Sequence, residues 1–287
     1  TNAGLRMTES AGPTNGNAVT NGLHTERYER NDWYQDELPD ESPDDDHWFF
    51  PNQLYAPKTP PPSSAVLTPV LADVAGVDTI AVVRVALRGI FDSTTHHVQI
   101  TLNGTGLADG NWSGGGEYVY ACLTTQSVLS NGANTLTITL PGDTGAPVEQ
   151  VLINWVEIDY IRDLRAANDR RLFTITSSDA NRYTLSGYTN ASQQVFRVVD
   201  STHVSVITNA LTQGAGPFTV TFSDSAPAGT LYAVAGAAAR RTPASIIEDE
   251  SSNLYGSTNG ADYIIITHDD FYNAIQSLAA YRRAEGM

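Results

Sequence analysis

Asp92, Asp109, Glu157 and Asp159 are the candidate ligands for calcium at the edge of a β-sandwich, since that ion takes about six to eight oxygen ligands. A second carboxylate group, Asp40, Glu41, Asp44, Asp45 and Asp46, is dense in oxygen but lacks the spacing of an EF-hand loop and reads as a solvated acidic segment. His96 and His97 suggest metal at first sight. Neighbours on a strand point to opposite faces, so the pair reads as ordinary surface histidines. The single cysteine, Cys122, lies in the apolar run Glu117–Leu123, where a buried small hydrophobe is expected rather than a nucleophile. Trp112, in Gly110-Asn-Trp-Ser-Gly-Gly-Gly116, is the candidate platform for stacking on a sugar ring, whereas Trp155 reads as core.

These groups need β elements to hold them. Strand-length runs with alternating apolar residues cover Ala81–Arg88, His97–Leu102, Glu117–Leu123, Asn134–Leu140 and Val151–Tyr160, separated by turn pairs such as Asn103-Gly104 and Asn131-Gly132. Residues 66–165 are therefore expected to form a jelly-roll-like sandwich. In its last strand Val151, Ile153 and Trp155, then after a shift Ile158 and Tyr160, divide between the faces. Residues 166–243 repeat the pattern with shorter strands and predict a second β module. Residues 1–65 read as a flexible arm, an acidic and aromatic segment, and a proline-rich linker. Within them residues 26–50 hold ten acidic side chains against two arginines, interleaved with Tyr28, Trp33, Tyr34, Trp48, Phe49 and Phe50. Aromatics at that density predict docking on a folded surface, with the carboxylates toward water.

Composition excludes several functions. The formal charge is −16, with 32 acidic and 16 basic residues, so neither nucleic acid nor an anionic membrane surface is an expected partner. No apolar run reaches the length of a membrane span, and one cysteine cannot form an intrachain disulfide. Charged residues make up 17%, below the roughly 25% of average soluble chains, a profile that suits extracytoplasmic β modules. The sequons at Asn103, Asn111 and Asn190 mark accessible loops.

From about residue 244 the pattern changes. Asp262-Tyr-Ile-Ile-Ile-Thr267 is a continuous apolar run of the kind buried in a parallel sheet, His268-Asp-Asp270 offers an acidic cap, and Phe271–Arg283 has helical spacing closed by Gly286. A lone strand–helix unit cannot bury both faces of its strand. The stretch Asn259–Gly286, with its Tyr-Ile-Ile-Ile-Thr strand and the Leu278-Ala-Ala-Tyr-Arg-Arg-Ala-Glu-Gly286 ending, resembles the opening of a gingipain-type cysteine peptidase domain. Val151–Arg162 is similar to the closing strand of the jelly-roll-like domain that precedes that peptidase in large secreted bacterial members, and Asp44–Phe50 to an acidic, aromatic motif before it. The resemblance implies a secreted or cell-surface parent with a caspase-like α/β domain and a Cys/His dyad. His268 matches the end of the family's first strand and not its catalytic histidine, so this chain by itself is expected not to be a peptidase. The expected fold is thus mainly β: a jelly-roll-like sandwich, a smaller β module, and the first strand and helix of an α/β domain at 244–287. The expected role is a presentation, prodomain or interaction module whose partner is a downstream peptidase domain. The alternatives are a subunit of an extracellular assembly that binds copies of itself, and a carbohydrate-binding module.

Overall fold

The computed structural model describes residues 7–13, 15–36, 38, 46–51, 53–57, 62–91, 94–245, 256 and 260–286. Asp92, Asp40, Glu41, Asp44, Asp45 and residues 58–61 of the proline-rich linker lie outside them. The chain is mainly β and divides into two units at Arg240/Arg241.

The first unit holds two sandwiches. In the first, one sheet runs Thr105–Ser113, Thr95–Leu102, Leu136–Leu140, Ser63–Leu67. The facing sheet runs Gly116–Thr125, Ile80–Gly89, Val148–Asp163, Asn21–Glu29, and Leu54–Pro57 also pairs with the long strand. Alternation fixes which side chains go inward. Val98, Ile100 and Leu102 meet Val83, Val85 and Leu87 in a core closed by Val151, Ile153, Val156, Ile158 and Tyr160. The shift anticipated in the long strand is a β-bulge. Ile153 faces Leu87 and Trp155 faces Ala86, so Asn154 is the extra residue and the inward face passes from odd to even positions. Trp155 is thereby turned onto the outer face, which corrects its assignment to the core.

The second sandwich has a core of Phe173, Tyr183, Leu185, Tyr188, Val195, Val220, Phe222, Tyr232 and Val234. Its sheets correct the expectation of a flexible arm. Thr8–Ser10 adds parallel to Val204–Ile207 at the edge of one sheet, and Asn17–Val19 adds parallel to Asn181–Tyr188 at the edge of the other. The chain then enters the first sandwich as Asn21–Glu29, antiparallel to Trp155–Asp163. A polar, glycine-rich stretch can do this because its backbone supplies the binding groups and its glycines let it pass close to its neighbours. A Cβ at Gly16 would sit 2.6 Å from the Asn181 carbonyl carbon, and one at Gly12 would collide with the Ser223 carbonyl oxygen. Asn209 ties the crossing down, its side-chain amide donating to Gly12 O at 3.3 Å and to Ser223 O at 3.1 Å.

The acidic, aromatic segment docks with part of its aromatic set. Phe49, Phe50 and Leu38 are buried, Phe49 and Leu38 against Leu152 on the outer side of the long strand. Trp33–Tyr34 pairs with Trp48–Phe49 as a two-stranded ribbon.

In the second unit, residues 263–268 carry no strand, and the helix is Gln276–Ala284 after a 3₁₀ turn at Asp269–Phe271. This departs from the expected strand for a physical reason: a strand exists by pairing, and no described partner strand stands beside it. The turn is capped by His268, whose Nδ1 accepts from the Asp270 backbone N–H at 3.3 Å, in place of the expected acidic cap.

Gly12→Val is predicted to detach the Thr8–Ser10 strand, at a cost of about 1–3 kcal/mol. Limited proteolysis would then cut before residue 20 while the rest of the unit resists; an unchanged cleavage pattern would refute the clamp.

Candidate interaction surface

Beyond the bulge, Trp155, Glu157 and Asp159 project from the outer face of the second sheet, and cross-strand register surrounds them with cations. Glu157 lies opposite Arg84 on one side and Arg27 on the other. Arg27 donates to Glu157 at 2.9 Å and to Glu29 at 2.6 Å, and its guanidinium lies 4.6 Å from the Trp155 ring centroid. Arg84 donates to Asp159 at 2.6 Å, stands 3.7 Å from Glu157, and Thr25 donates to Asp159 at 2.7 Å. Burial works to raise the Asp159 pKa, but the hydrogen bonds from Arg84 and Thr25 outweigh it and hold the group below its ordinary value. These two carboxylates therefore serve a guanidinium lattice. Sequence reasoning missed Arg27 and Arg84, though their place opposite an outward acidic residue was available from strand alternation.

Asp109 stands on the outer face of the other sheet, across the whole core from Glu157 and Asp159. This corrects the proposed calcium set: with Asp92 outside the described residues, the three remaining members occupy two opposite faces and cannot share an ion. No group of three or more metal-binding side chains occurs among the described residues. Asp109 instead accepts from His97, whose Nε2 lies 2.6 Å from it while Nδ1 lies 2.6 Å from Asp143. Hydrogen bonds to Asp109 and then Asp143 raise the His97 pKa, so the imidazolium pins the loop bearing Asp143 to the sheet.

His96 points the other way and is fully buried, correcting its reading as a surface residue. Its ring packs 4.8 Å from Trp112, and neither ring nitrogen has a hydrogen-bond partner among the described residues. Burial lowers its pKa, partly opposed by the field of buried Glu149. Trp112 belongs to the strand Thr105–Ser113 rather than to a loop. It is only 8% exposed, stacked at 5.5 Å on Tyr118 and packed against Tyr120. It is interior, and so is not the exposed sugar platform that its glycine-rich setting suggests. Cys122 is also buried, and desolvation raises its pKa.

Tyr118, stacked on Trp112, is itself exposed, and a further cluster of exposed aromatics lies elsewhere. Trp33, Tyr34 and Trp48 on the acidic ribbon are 42%, 53% and 45% exposed, with Tyr34 5.1 Å from Trp48. Their types were visible in the sequence; which of the segment's aromatics stay outside was set by the position of Leu152.

The two adjacent histidines are predicted to titrate on opposite sides of 6.5, the value of a free imidazole. His97, raised in the folded state, contributes stability that is complete below 6.5 and is lost as pH rises through its folded pKa. His96, lowered, has the opposite sign: the folded state loses stability as pH falls below 6.5, because only the unfolded chain then takes up that proton. Ring-proton NMR with His97→Gln as the assignment control reads both, and a His97 midpoint below that of His96 would overturn the clamp.

No protein-family model matches the sequence, and neither does any curated protein. Among solved structures the chain is similar to dimeric latent PorU from Porphyromonas gingivalis, at 12% identity and a TM-score of 0.52, over 80% of this chain and 22% of that one. It thus spans less than a quarter of the length of PorU, and the likeness is one of fold. The calcium and xylotriose complex of carbohydrate-binding module CBM36 matches 37% of this chain and 77% of its own, at 16% identity and a TM-score of 0.27. The tandem CBM22-1–CBM22-2 domain of Paenibacillus barcinonensis Xyn10C matches 77% and 86%, at 10% identity and a TM-score of 0.25.

Proposed function

We propose that this chain is a non-catalytic β-sandwich module from the N-terminal region of a secreted gingipain-like cysteine peptidase, where it presents or restrains the catalytic domain. The observation that carries this reading is the second unit. Ile264 and Ile266 are 74% and 94% exposed in a segment whose β-branched, apolar sequence suits the inside of a parallel sheet, and Phe271, Tyr272, Leu278 and Tyr281 are exposed beside it. Such a surface calls for further strands and helices to cover it, and the resemblance of Asn259–Gly286 to a gingipain-type opening supports a peptidase domain as their source. The likeness of fold to a much longer chain supports the same placement. No described helix is long and apolar enough to cross a membrane.

Peptide mapping of the protein isolated from its source tests this. Peptides continuing past Met287 into a segment with the dyad are expected, and a mature C-terminus at Met287 encoded by a stop codon would sink the reading. Cys122 is expected to react with a thiol reagent at pH 8 about 100-fold more slowly than after denaturation, because it is buried and its pKa is raised.

Carbohydrate binding is a second reading, favoured by the exposed Trp33, Tyr34 and Trp48. On that reading Trp33→Ala or Trp48→Ala abolishes glycan-array signal without loss of stability. Trp112→Ala instead destabilises the sandwich by about 3–5 kcal/mol in chemical denaturation. Absence of any glycan signal from the wild-type chain would remove this reading, and signal that survives the ribbon substitutions would remove the ribbon as its site.

A further inference from the structure

The edges of the first sandwich are not protected alike. Asn21–Glu29 carries His24, Glu26, Arg27 and Glu29; Thr105–Ser113 carries Asp109 and two glycines, and its pairing is bulged; Ser63–Leu67 is five residues long, between Pro62 and Pro69. Charges, bulges and short length are the usual devices that stop a sheet edge from pairing with another chain. Gly116–Thr125 has none of them past Glu117. It is ten residues long, its backbone ladder pairs only with Ile80–Gly89 among the described residues, and it reads Tyr-Val-Tyr-Ala-Cys-Leu-Thr-Thr from 118 to 125. Its outward side is apolar as well. Val119 and Leu123 are 38% and 69% exposed, Ala121 is exposed between them, and Ile80 on the next strand is 63% exposed opposite Thr125.

We propose that this edge is an interface with a second copy of the chain, the two Gly116–Thr125 strands pairing antiparallel about a two-fold axis at Ala121. The sequence is self-complementary about that point. Ala121 meets its counterpart, Val119 meets Leu123 on the outer face, Tyr118 meets Thr124 and Tyr120 meets Cys122 on the inner face, and Glu117 meets Thr125. Large apolar residues are thus matched and no like charges face each other. Moving the axis to Tyr120 sets Glu117 against Leu123, and moving it to Cys122 sets Val119 against Thr125, so both neighbouring registers lose the match. Arg84, directly cross-strand from Ala121, is paired with Asp159, and Arg27 on the far side of the long strand with Glu157, so the charges beside the apolar band are already matched within each copy. Two copies of a −16 chain repel at long range, so added salt strengthens this dimer by screening. The interface stands independently of the peptidase reading.

Sedimentation velocity of the full chain over about 1–100 μM tests the interface. The mass is expected to rise from 30.8 kDa to twice that value, and at a lower concentration in about 500 mM than in 50 mM salt. Ala121→Lys sets two cations together at the axis, and at least about a tenfold weaker association is expected with an unchanged circular dichroism spectrum. Ala121→Cys in a Cys122→Ala background reads the register directly. Opposed residues of an antiparallel pair lie about 4.5–5.5 Å apart at Cα, within disulfide reach, so oxidation should give a covalent dimer. A wild-type chain that stays monomeric throughout, a dimer indifferent to Ala121→Lys, or a dimer that does not cross-link at position 121 would each overturn the proposal.

Discussion

The strand Val148–Asp163 is sixteen residues long, and a strand of that length must reconcile a strict two-residue pleat with neighbours that change along its course. Its first part pairs with Leu54–Pro57 and its second with Asn21–Glu29, while Ile80–Gly89 runs along the other side of both. The extra residue at Asn154 makes this possible. Before it, Val151 and Ile153 fill the core and Leu152 faces out to receive Phe49 and Leu38. After it, Val156, Ile158 and Tyr160 fill the core and Glu157 and Asp159 face out to receive Arg84 and Arg27. Without the bulge, acidic side chains would turn into the apolar interior, where an unpaired charge costs several kcal/mol. The docking of the acidic ribbon, the guanidinium lattice and the sandwich core all depend on that one inserted residue.

The N-terminal strands answer a related need. The second sandwich would otherwise expose the edges of both of its sheets, and residues 8–19 occupy one edge in each before continuing into the first sandwich. The two sandwiches are therefore joined by two crossings that lie side by side, the N-terminal segment and the Asp163–Arg170 connection: Asn21 pairs with Asp163, and the Leu164 N–H donates to the Thr20 carbonyl at 2.8 Å. Asp169 fastens that connection, accepting from the Thr189 backbone N–H at 2.7 Å, the Thr189 hydroxyl at 2.7 Å and the Asn190 amide at 2.8 Å. These bonds hold its carboxyl below the usual range despite desolvation.

The mainly β fold and the core strands of the first sandwich were legible because alternation is a direct record of burial, and runs such as Leu136–Leu140 carry it undisturbed. Three things were not. The strands Thr8–Ser10 and Asn17–Val19 hold mainly by backbone bonds, supplemented by the Thr8–Ser205 hydroxyl contact at 2.8 Å and by Val19 against the second core, and a ladder of three residues leaves almost no side-chain signature. Trp112 looked exposed because glycines flank it, yet the glycines serve the turn into Gly116–Thr125 while the indole belongs to the preceding strand. His96 and His97 were rightly assigned to opposite faces, but alternation does not say which of two polar neighbours goes inward. The bonds from Asp109 and Asp143 hold His97 on the outside, and His96 takes the inward position beside Trp112.

The same rule separates Gly116–Thr125 from Tyr263–Thr267. Gly116–Thr125 keeps its strand conformation because Ile80–Gly89 satisfies one side of its backbone and the core holds its inward face, so an open edge remains as a formed template. Tyr263–Thr267 has a stronger β composition but no described neighbour on either side, and it carries no strand. Propensity alone therefore does not decide which apolar segment is a strand; a partner does. An edge already formed loses little conformational entropy when a second strand arrives, whereas an unpaired segment must also be ordered, at about 1–2 kcal/mol per residue. Association at the first needs only a matching strand, and order at the second needs a sheet to enter.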